Sequence, residues 1–249
     1  MKAILLAVTA LSLLNASALA ADLEPMPFRA SPGPAPFAWT GCYAGANVGG
    51  GWGQKDLTDT FGFFAANGGP SAFSLNIDGY LLGGQIGCDY QFASGLVLGV
   101  EGYAAGGRIG GNTTDTALAD PATFSDTTNL VTSGTARIGY AYGRWLPYIK
   151  GGVAWASDNY TVADVGGMYN ATASEDRFGW TAGAGIEWAF WDDWSVKLEY
   201  NYYGFGTRSV SFIDNYGLIN AGAPFPVNIQ QNIQVITLGI NFHVWATGW

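Results

Sequence analysis

The feature that most constrains this chain is a regular alternation of apolar and polar side chains along its strand-like stretches. Around residues 194–204 the apolar members are Val196, Leu198, Tyr200 and Tyr202, and the polar positions between them include Lys197, Glu199 and Asn201. Because successive side chains of a β-strand point to opposite faces, this pattern predicts strands with one apolar and one charged face. Alternation alone leaves open which of the two faces is buried.

Eight such stretches occur between residues 40 and 244, and they are separated by short and long connections in turn. The predicted strands are 40–53, 79–92, 96–107, 130–142, 145–156, 178–190, 194–206 and 232–244. The connections 54–78, 108–129, 157–177 and 207–231 are long and rich in Gly, Asn, Asp, Ser and Thr, whereas those near Ser94, Arg144 and Asp192 are tight turns. An even strand count with this asymmetry is typical of antiparallel barrels with short periplasmic turns and long outer loops.

The first twenty residues indicate export. Lys2 precedes an apolar run that is too short for a membrane-spanning helix, and Ala18 and Ala20 form a small-x-small cleavage pattern. We therefore predict a signal peptide at 1–20, a Pro-rich periplasmic extension at 21–38, a barrel at 39–244 and a C-terminal tail at 245–249. Charged residues make up only 12% of the chain, and the mean hydropathy of +0.14 is too low for a bundle of membrane helices.

The distribution of charge decides which face meets lipid. One parity of the predicted strands carries no charge, whereas the other carries seven charged side chains: Asp89, Glu101, Arg137, Lys150, Glu187, Lys197 and Glu199. An Arg or Lys on a lipid-facing strand costs about 2–4 kcal/mol at the bilayer midplane, so a lipid face should exclude both. An ordinary globular core excludes unpaired charges for a similar reason. The sequence therefore predicts an all-β, eight-stranded, antiparallel, up-and-down transmembrane β-barrel with its charges inside.

The lumen charges are predicted to pair with one another. We expect Glu101, Glu187 and Glu199 to pair with Arg137, Lys150 and Lys197, with Asp89 nearer the periplasmic end. Eight strands leave an interior that side chains can fill, so these pairs would plug the lumen.

Several motifs resemble the small alphaproteobacterial outer-membrane barrels of the OmpA/Opa-like superfamily, the porin-family surface antigens of Gram-negative bacteria. They are the Ala-Ala-Asp-Leu at 20–23, Trp-Thr-Gly-Cys-Tyr-Ala-Gly at 39–45, Gly-Gly-Gln-Ile-Gly-Cys-Asp-Tyr-Gln at 83–91, Gly-Val-Glu-Gly at 99–102 and Gly-Ile-Asn-Phe at 239–242. The resemblance implies a surface antigen folded by the barrel-assembly machinery, which reads a terminal aromatic residue. Here five residues follow Val244, so either Trp249 or an internal aromatic gives that signal.

The favoured function is a structural, surface-exposed barrel that contributes to envelope integrity and presents its loops to an unnamed extracellular ligand. The alternative is a narrow porin-like channel for ions or small solutes, with a preference for cations. A lipid-modifying enzyme is a weaker third interpretation, because the only histidine, His243, is followed by Val244 and Trp245 rather than by a hydroxyl. One His and two Cys without short spacing predict no metal site, and no cofactor is expected.

The remaining predictions concern partners. Cys42 opens the first strand and Cys88 ends the second on the same parity, so antiparallel pairing predicts a disulfide between them. Arg108, Arg177 and Arg208 lie where predicted strands meet outer loops, and we expect contacts with lipopolysaccharide phosphates there. The other expected partner is outer-membrane lipid. The net charge of −9 excludes a nucleic-acid surface, and the protein is expected to be a monomer.

Overall fold

The computed structural model describes residues 37–60, 62, 71–115, 122–164, 170–214 and 225–244. The predicted signal peptide, most of the Pro-rich extension and the tail that contains Trp249 lie outside the described residues. All the described elements are strands: β1 (Gly41–Asp59), β2 (Ala72–Gln91), β3 (Leu96–Asp115), β4 (Ala122–Tyr140), β5 (Trp145–Asp164), β6 (Asn170–Ala189), β7 (Trp194–Asp214) and β8 (Phe225–Val244). Within these residues no helix is long and apolar enough to cross a membrane.

The eight strands form one closed barrel. Each strand pairs antiparallel with the next in sequence, and β1 pairs with β8 to close the wall. The predicted fold class is confirmed. Short turns at Phe92–Gly95, 141–144 and 190–193 lie at one end, which we call the turn end, and the four longer connections lie at the other, the loop end. Gly95 and Gly143 adopt positive φ angles of 88° and 59°, which only glycine reaches without strain.

The strands are longer than the sequence pattern predicts. Each has 19 to 21 residues, about twice the roughly 9–11 that cross an apolar bilayer core. The added residues come from the connections that the sequence pattern predicts as loops, so the predicted strand ends are wrong on this side. β1 continues to Asp59, and β2 already begins at Ala72. We call the parts of the strands predicted from sequence the turn-end half, and their continuations the loop-end half.

In the turn-end half, large apolar side chains face outward over the whole circumference. Exposed examples are Val48, Leu82, Ile86, Val100, Ile149, Val153, Leu198, Leu238 and Ile240. We call this surface the apolar belt. It ends where outward residues become polar, as at Trp52 and Gln54 on β1 or Tyr80 and Asp78 on β2.

In the loop-end half the two faces exchange character. The exposed side chains there are mainly hydroxyls, amides and charges, including Gln54, Ser74, Asn76, Asp78, Arg108, Asn112, Ser125, Asn159, Ser174, Asp176 and Gln230. The buried ones are mainly apolar, including Leu57, Leu75, Ile77, Ile109, Phe124, Val162, Val210, Phe212 and Ile229. The hydrophobic effect therefore acts on opposite faces of one continuous wall, outward toward lipid and inward toward an ordinary core.

Candidate functional site in the lumen

The turn-end lumen contains all seven charged side chains that alternation placed there. Each is buried, with at most 6% of its surface exposed. Four of them form a closed ionic ring. The Lys150 Nζ lies 2.7 Å from both Glu101 Oε1 and Glu199 Oε1, and the Lys197 Nζ lies 2.8 Å from Glu101 Oε2 and 3.4 Å from Glu199 Oε2. Each charge in the ring therefore has two partners of opposite sign, which offsets the cost of removing it from water.

Arg137 joins the other acidic side chains beside this ring. Its guanidinium binds both carboxylate oxygens of Asp89 and lies 3.1 Å from Glu187 Oε2. It also lies 4.7 Å above the ring of Tyr43 and 5.0 Å from that of Tyr148. The two tyrosine hydroxyls donate hydrogen bonds of 2.8 and 2.6 Å to carboxylates of the ionic ring. Arg137 thus connects Asp89 and Glu187 in one network, and Asp89 is paired rather than separate from it.

Glu187 also meets a serine and the histidine, a grouping that sequence reasoning missed. Ser195 donates to Glu187 Oε1, its Oγ lies 2.8 Å from His243 Nε2, and the Asn241 amide donates to Glu187 at 2.7 Å. The neighbours of His243 along the chain include no hydroxyl. Ser195 of β7 pairs with Asn241 of β8, however, and this pairing brings the Ser195 hydroxyl close to His243. Strand register combined with parity would have found this contact.

The grouping does not have the geometry of an acyl-transfer triad. In a triad, one histidine nitrogen takes the serine proton while the carboxylate orients the other nitrogen. Here the same nitrogen, Nε2, faces both Ser195 Oγ and, at 3.4 Å, Glu187 Oε1. Ser195 is fully buried, so a substrate carbonyl has no approach to it. The contact is best described as part of the lumen network.

Residues that precede β1 close the turn end. Trp39 is 1% exposed, donates its backbone N–H to Gln91 Oε1 at 2.7 Å, and donates its indole N–H to the Gly143 carbonyl at 3.3 Å. Phe37 packs edge-on against Trp39 with ring centroids 4.9 Å apart, and the His243 ring lies 5.8 Å from Trp39. These aromatic rings cover the lumen network from the turn end.

A second buried charge cluster lies in the loop-end half, inside the apolar core, and it was not predicted. The Lys55 Nζ is 2.7 Å from Asp126 Oδ2 and 3.2 Å from Asp158 Oδ1, and Arg177 Nε is 3.3 Å from Asp158 Oδ2. Lys55 also lies 4.7 Å above the Tyr160 ring. We call these residues the loop-end cluster. Its two cations and two acids balance in charge.

Burial perturbs the acids of this cluster, which lies beyond the apolar belt. Desolvation raises the pKa of Asp126 from 3.8 to about 6, although attraction to Lys55 opposes the rise. Desolvation, with a further contribution from Asp158, also raises the pKa of the Tyr160 hydroxyl. Asp126 therefore takes up its proton at a higher pH than an exposed aspartate does.

The three arginines predicted to contact lipopolysaccharide have different positions. Arg177 points inward, is fully buried and donates to the Ile229 carbonyl at 3.0 Å. Its predicted contact with lipopolysaccharide is therefore wrong, because Trp180 faces outward on β6 and residue 177 consequently has the inward parity. Arg108 is exposed on the outer wall of β3, whereas Arg208 is exposed at a position of β7 that pairs with the buried Ile229.

The two cysteines lie on the outer face of the turn-end half. Cys42 and Cys88 are directly opposed partners on β1 and β2, and a disulfide joins them. This is the pairing that strand order predicts. It links two neighbouring strands that the ladder already holds together.

Comparison with known proteins identifies relatives of this architecture. The family described as "Outer membrane protein beta-barrel domain" matches residues 4–242. The 31 kDa outer-membrane immunogenic protein of Brucella melitensis is 29% identical over 97% of this chain and 99% of its own length. The 25 kDa outer-membrane immunogenic protein of Brucella abortus is 29% identical over 97% of this chain and 98% of its own. Among solved structures, OprG of Pseudomonas aeruginosa is 14% identical with a TM-score of 0.50, covering 82% of this chain and 97% of its own, which shows a shared fold.

Proposed function

Because the chain belongs to the outer-membrane β-barrel protein family, we propose that it is a structural, surface-exposed barrel with a plugged lumen. In this proposal it contributes to envelope integrity and presents the connections of the loop end to the exterior. In this proposal the turn end faces the periplasm, as short turns do in barrels of this kind, and both chain termini are proposed to be periplasmic as well. The relatives named as immunogenic proteins support exposure at the cell surface.

The observation that carries the proposal is the filling of the lumen at successive levels. Aromatic rings close the turn end, and above them lie Arg137 with its two acids and the ionic ring. The interior of the loop-end half is mainly apolar, and its ion pairs are accompanied by the buried polar side chains of Thr128 and Gln231. A cavity of about 10 Å³ lies there among Lys55, Leu57 and Phe124, no larger than the roughly 10–15 Å³ that a single water needs.

A channel needs a continuous wet path, which this packing opposes. The deciding experiment records single-channel currents from the refolded protein in planar bilayers. We expect wild-type protein to show no steady conductance. A steady, cation-selective current in wild type, with a selectivity that changes in Lys150→Glu, would instead establish the narrow channel.

A cellular experiment addresses the role in the envelope. We expect deletion of the gene to increase sensitivity to detergent and entry of a fluorescent dye. Complementation with the wild-type gene should return detergent sensitivity and dye entry to their original levels. Complementation with Leu238→Arg should not, because that change opposes insertion in lipid. Unchanged permeability after deletion would remove the envelope role while leaving surface presentation in place.

A further inference from the structure

An open polar groove lies on the outer wall of the barrel, at the upper edge of the apolar belt. Its volume is about 390 Å³, and its lining includes Asp78 and Tyr80 of β2, Arg108 and Asn112 of β3, and Ser125 and Thr127 of β4. Tyr80 and Arg108 are cross-strand partners. Tyr80 is the last aromatic of the belt on β2, so the groove lies at the height where lipid headgroups meet the wall.

Irregular strand pairing shapes this groove. Gly106 pairs with Leu130 and Ile109 with Thr128, so Gly107 and Arg108 lie opposite the single residue Asn129. Such a bulge bends the strand and redirects a side chain. The glycine at 110 keeps the groove floor low, since a Cβ there would lie 2.4 Å from the Asp126 carbonyl oxygen.

Arg108 is one of two cations that form no ion pair within the described part of the chain. Eight Lys and Arg residues fall in the described part of the chain, and six of them form ion pairs: Lys55, Arg137, Arg144, Lys150, Arg177 and Lys197. Arg108 and Arg208 form none with the described residues. An exposed guanidinium at headgroup height offers the planar donor pair that binds phosphate oxygens bidentately.

A second groove lies directly below on the same face and is apolar. It measures about 520 Å³, and Ala44, Gly84, Ile86, Gly102 and Ala104 contribute to its lining. On β2 only Leu82 separates the outward residues of the two grooves, and on β3 only Gly106 does. A polar groove above a continuous apolar groove matches an amphiphile whose head is polar and whose chains lie along the wall.

We propose that the two grooves together bind one phosphorylated glycolipid of the surrounding leaflet. Its phosphate meets Arg108, and its sugar stacks on the Tyr80 ring, which is 66% exposed. Asn112, Ser125 and Thr127 supply donors and acceptors that match sugar hydroxyls, and Asp78 accepts from a hydroxyl. The acyl chains occupy the apolar groove. The exposed Tyr80 ring and these hydrogen-bonding side chains favour a head with a sugar ring over a phospholipid head without one.

The test measures lipid retention on the folded protein by native mass spectrometry in detergent. The probes are bis-phosphorylated lipid A, the same lipid after enzymatic dephosphorylation, and phosphatidylglycerol, whose head has a phosphate but no sugar. For wild type we expect retention of bis-phosphorylated lipid A, with weaker retention of the other two. Arg108→Gln should weaken lipid A binding about tenfold or more, the effect of losing one charge-assisted contact.

Two variants complete the design, and heat-modifiable electrophoretic mobility checks that each is folded. Arg208→Gln removes the other arginine without an ion pair among the described residues. Arg208 lines neither groove, so this change should leave retention unchanged. Gly102→Leu should fill the apolar groove and weaken lipid A, since a Cβ at 102 meets nothing closer than an Ile86 carbon at 3.7 Å. Equal losses in the Arg108 and Arg208 variants, or equal retention of phosphatidylglycerol and lipid A, would overturn the proposal. Neither result would bear on whether the lumen conducts.

Discussion

The turn-end and loop-end halves share eight continuous strands, yet their apolar side chains lie on opposite faces. They point outward in the turn-end half and inward in the loop-end half. In the turn-end half Leu238 faces outward and Glu101 inward, whereas in the loop-end half Gln230 faces outward and Ile229 inward. Strand geometry supplies the alternation in both halves, and the solvent outside the wall selects which face is apolar. Each buried Asp, Glu, Lys and Arg of the described residues has a partner of opposite charge, as the ionic ring and the loop-end cluster show.

The largest expected effect comes from breaking the turn-end network. Arg137→Met leaves Asp89 and Glu187 buried without their cation, which should lower the free energy of unfolding by about 3–5 kcal/mol. The measurement is urea-induced unfolding in lipid vesicles, followed by heat-modifiable mobility. Arg144→Gln is the control, because its ion pair with Asp192 is exposed and contributes about 0–1 kcal/mol. An unfolding midpoint for Arg137→Met equal to that of wild type would refute the network's role.

The next prediction compares the outer faces of the two halves on one strand. Leu238→Arg places a charge within the apolar belt of β8 and should cost about 2–4 kcal/mol in a bilayer. Gln230→Arg, eight residues earlier on the same outer face, should change stability by less than about 0.5 kcal/mol. Similar losses in both variants, measured by the same urea titration, would mean that the belt extends further than Trp52 and Tyr80 indicate.

A pH titration isolates the loop-end cluster. Because the pKa of Asp126 is raised from 3.8 to about 6, the folded state binds its proton more tightly than the unfolded state. The stability contribution of Asp126 is therefore fully present below about pH 4 and is lost as pH rises through about 6. It amounts to at most ~3 kcal/mol.

Urea unfolding of wild type and Asp126→Asn at pH 4.5 and 7.5 measures this contribution. We expect the gain on acidification to be smaller in Asp126→Asn than in wild type. Asp176→Asn, on the outer face of β6, should keep the wild-type pH dependence. A gain in Asp126→Asn as large as in wild type would place the responsible group elsewhere.

The smallest expected effect concerns the disulfide on the outer face. Cys42 and Cys88 already face each other in the ladder, so the bond closes a loop whose ends strand pairing holds together. Replacing both by Ser should cost about 2 kcal/mol, the lower end of the usual range for native disulfides. The readout is the urea midpoint of the double variant beside that of reduced wild type. A loss larger than that of Arg137→Met would reverse this ranking.

Alternation was sufficient to predict the strand count, the three turns and the seven lumen charges, because in the turn-end half lipid excludes charge from one parity. The same rule failed beyond Trp52. There the strands carry Asn, Ser, Asp and Gly on their outer face, which is also the composition of loops. Bulges at Asn129 and near Gly206 change parity within β4 and β7, and so conceal the continuity of the pattern.

Of the buried charges, those of the turn-end half could be predicted from the sequence and those of the loop-end half could not. Charges that share one parity within one strand indicated the ionic ring. Lys55 and Asp158 fell in predicted loops, so nothing suggested that they meet. The contact of Ser195 with His243 depends on the register of β7 against β8, and parity within one strand does not supply that register.

The continuation of all eight strands past the apolar belt raises the loop-end rim of the barrel above the lipid. With about seven further residues per strand, tilted as barrel strands are, the rim stands about 20 Å above the lipid boundary. Insertions or replacements in the segments between strands at that rim are consequently insulated from the part that must insert into the bilayer. Sequence changes in those segments can therefore accumulate without disturbing assembly of the part below.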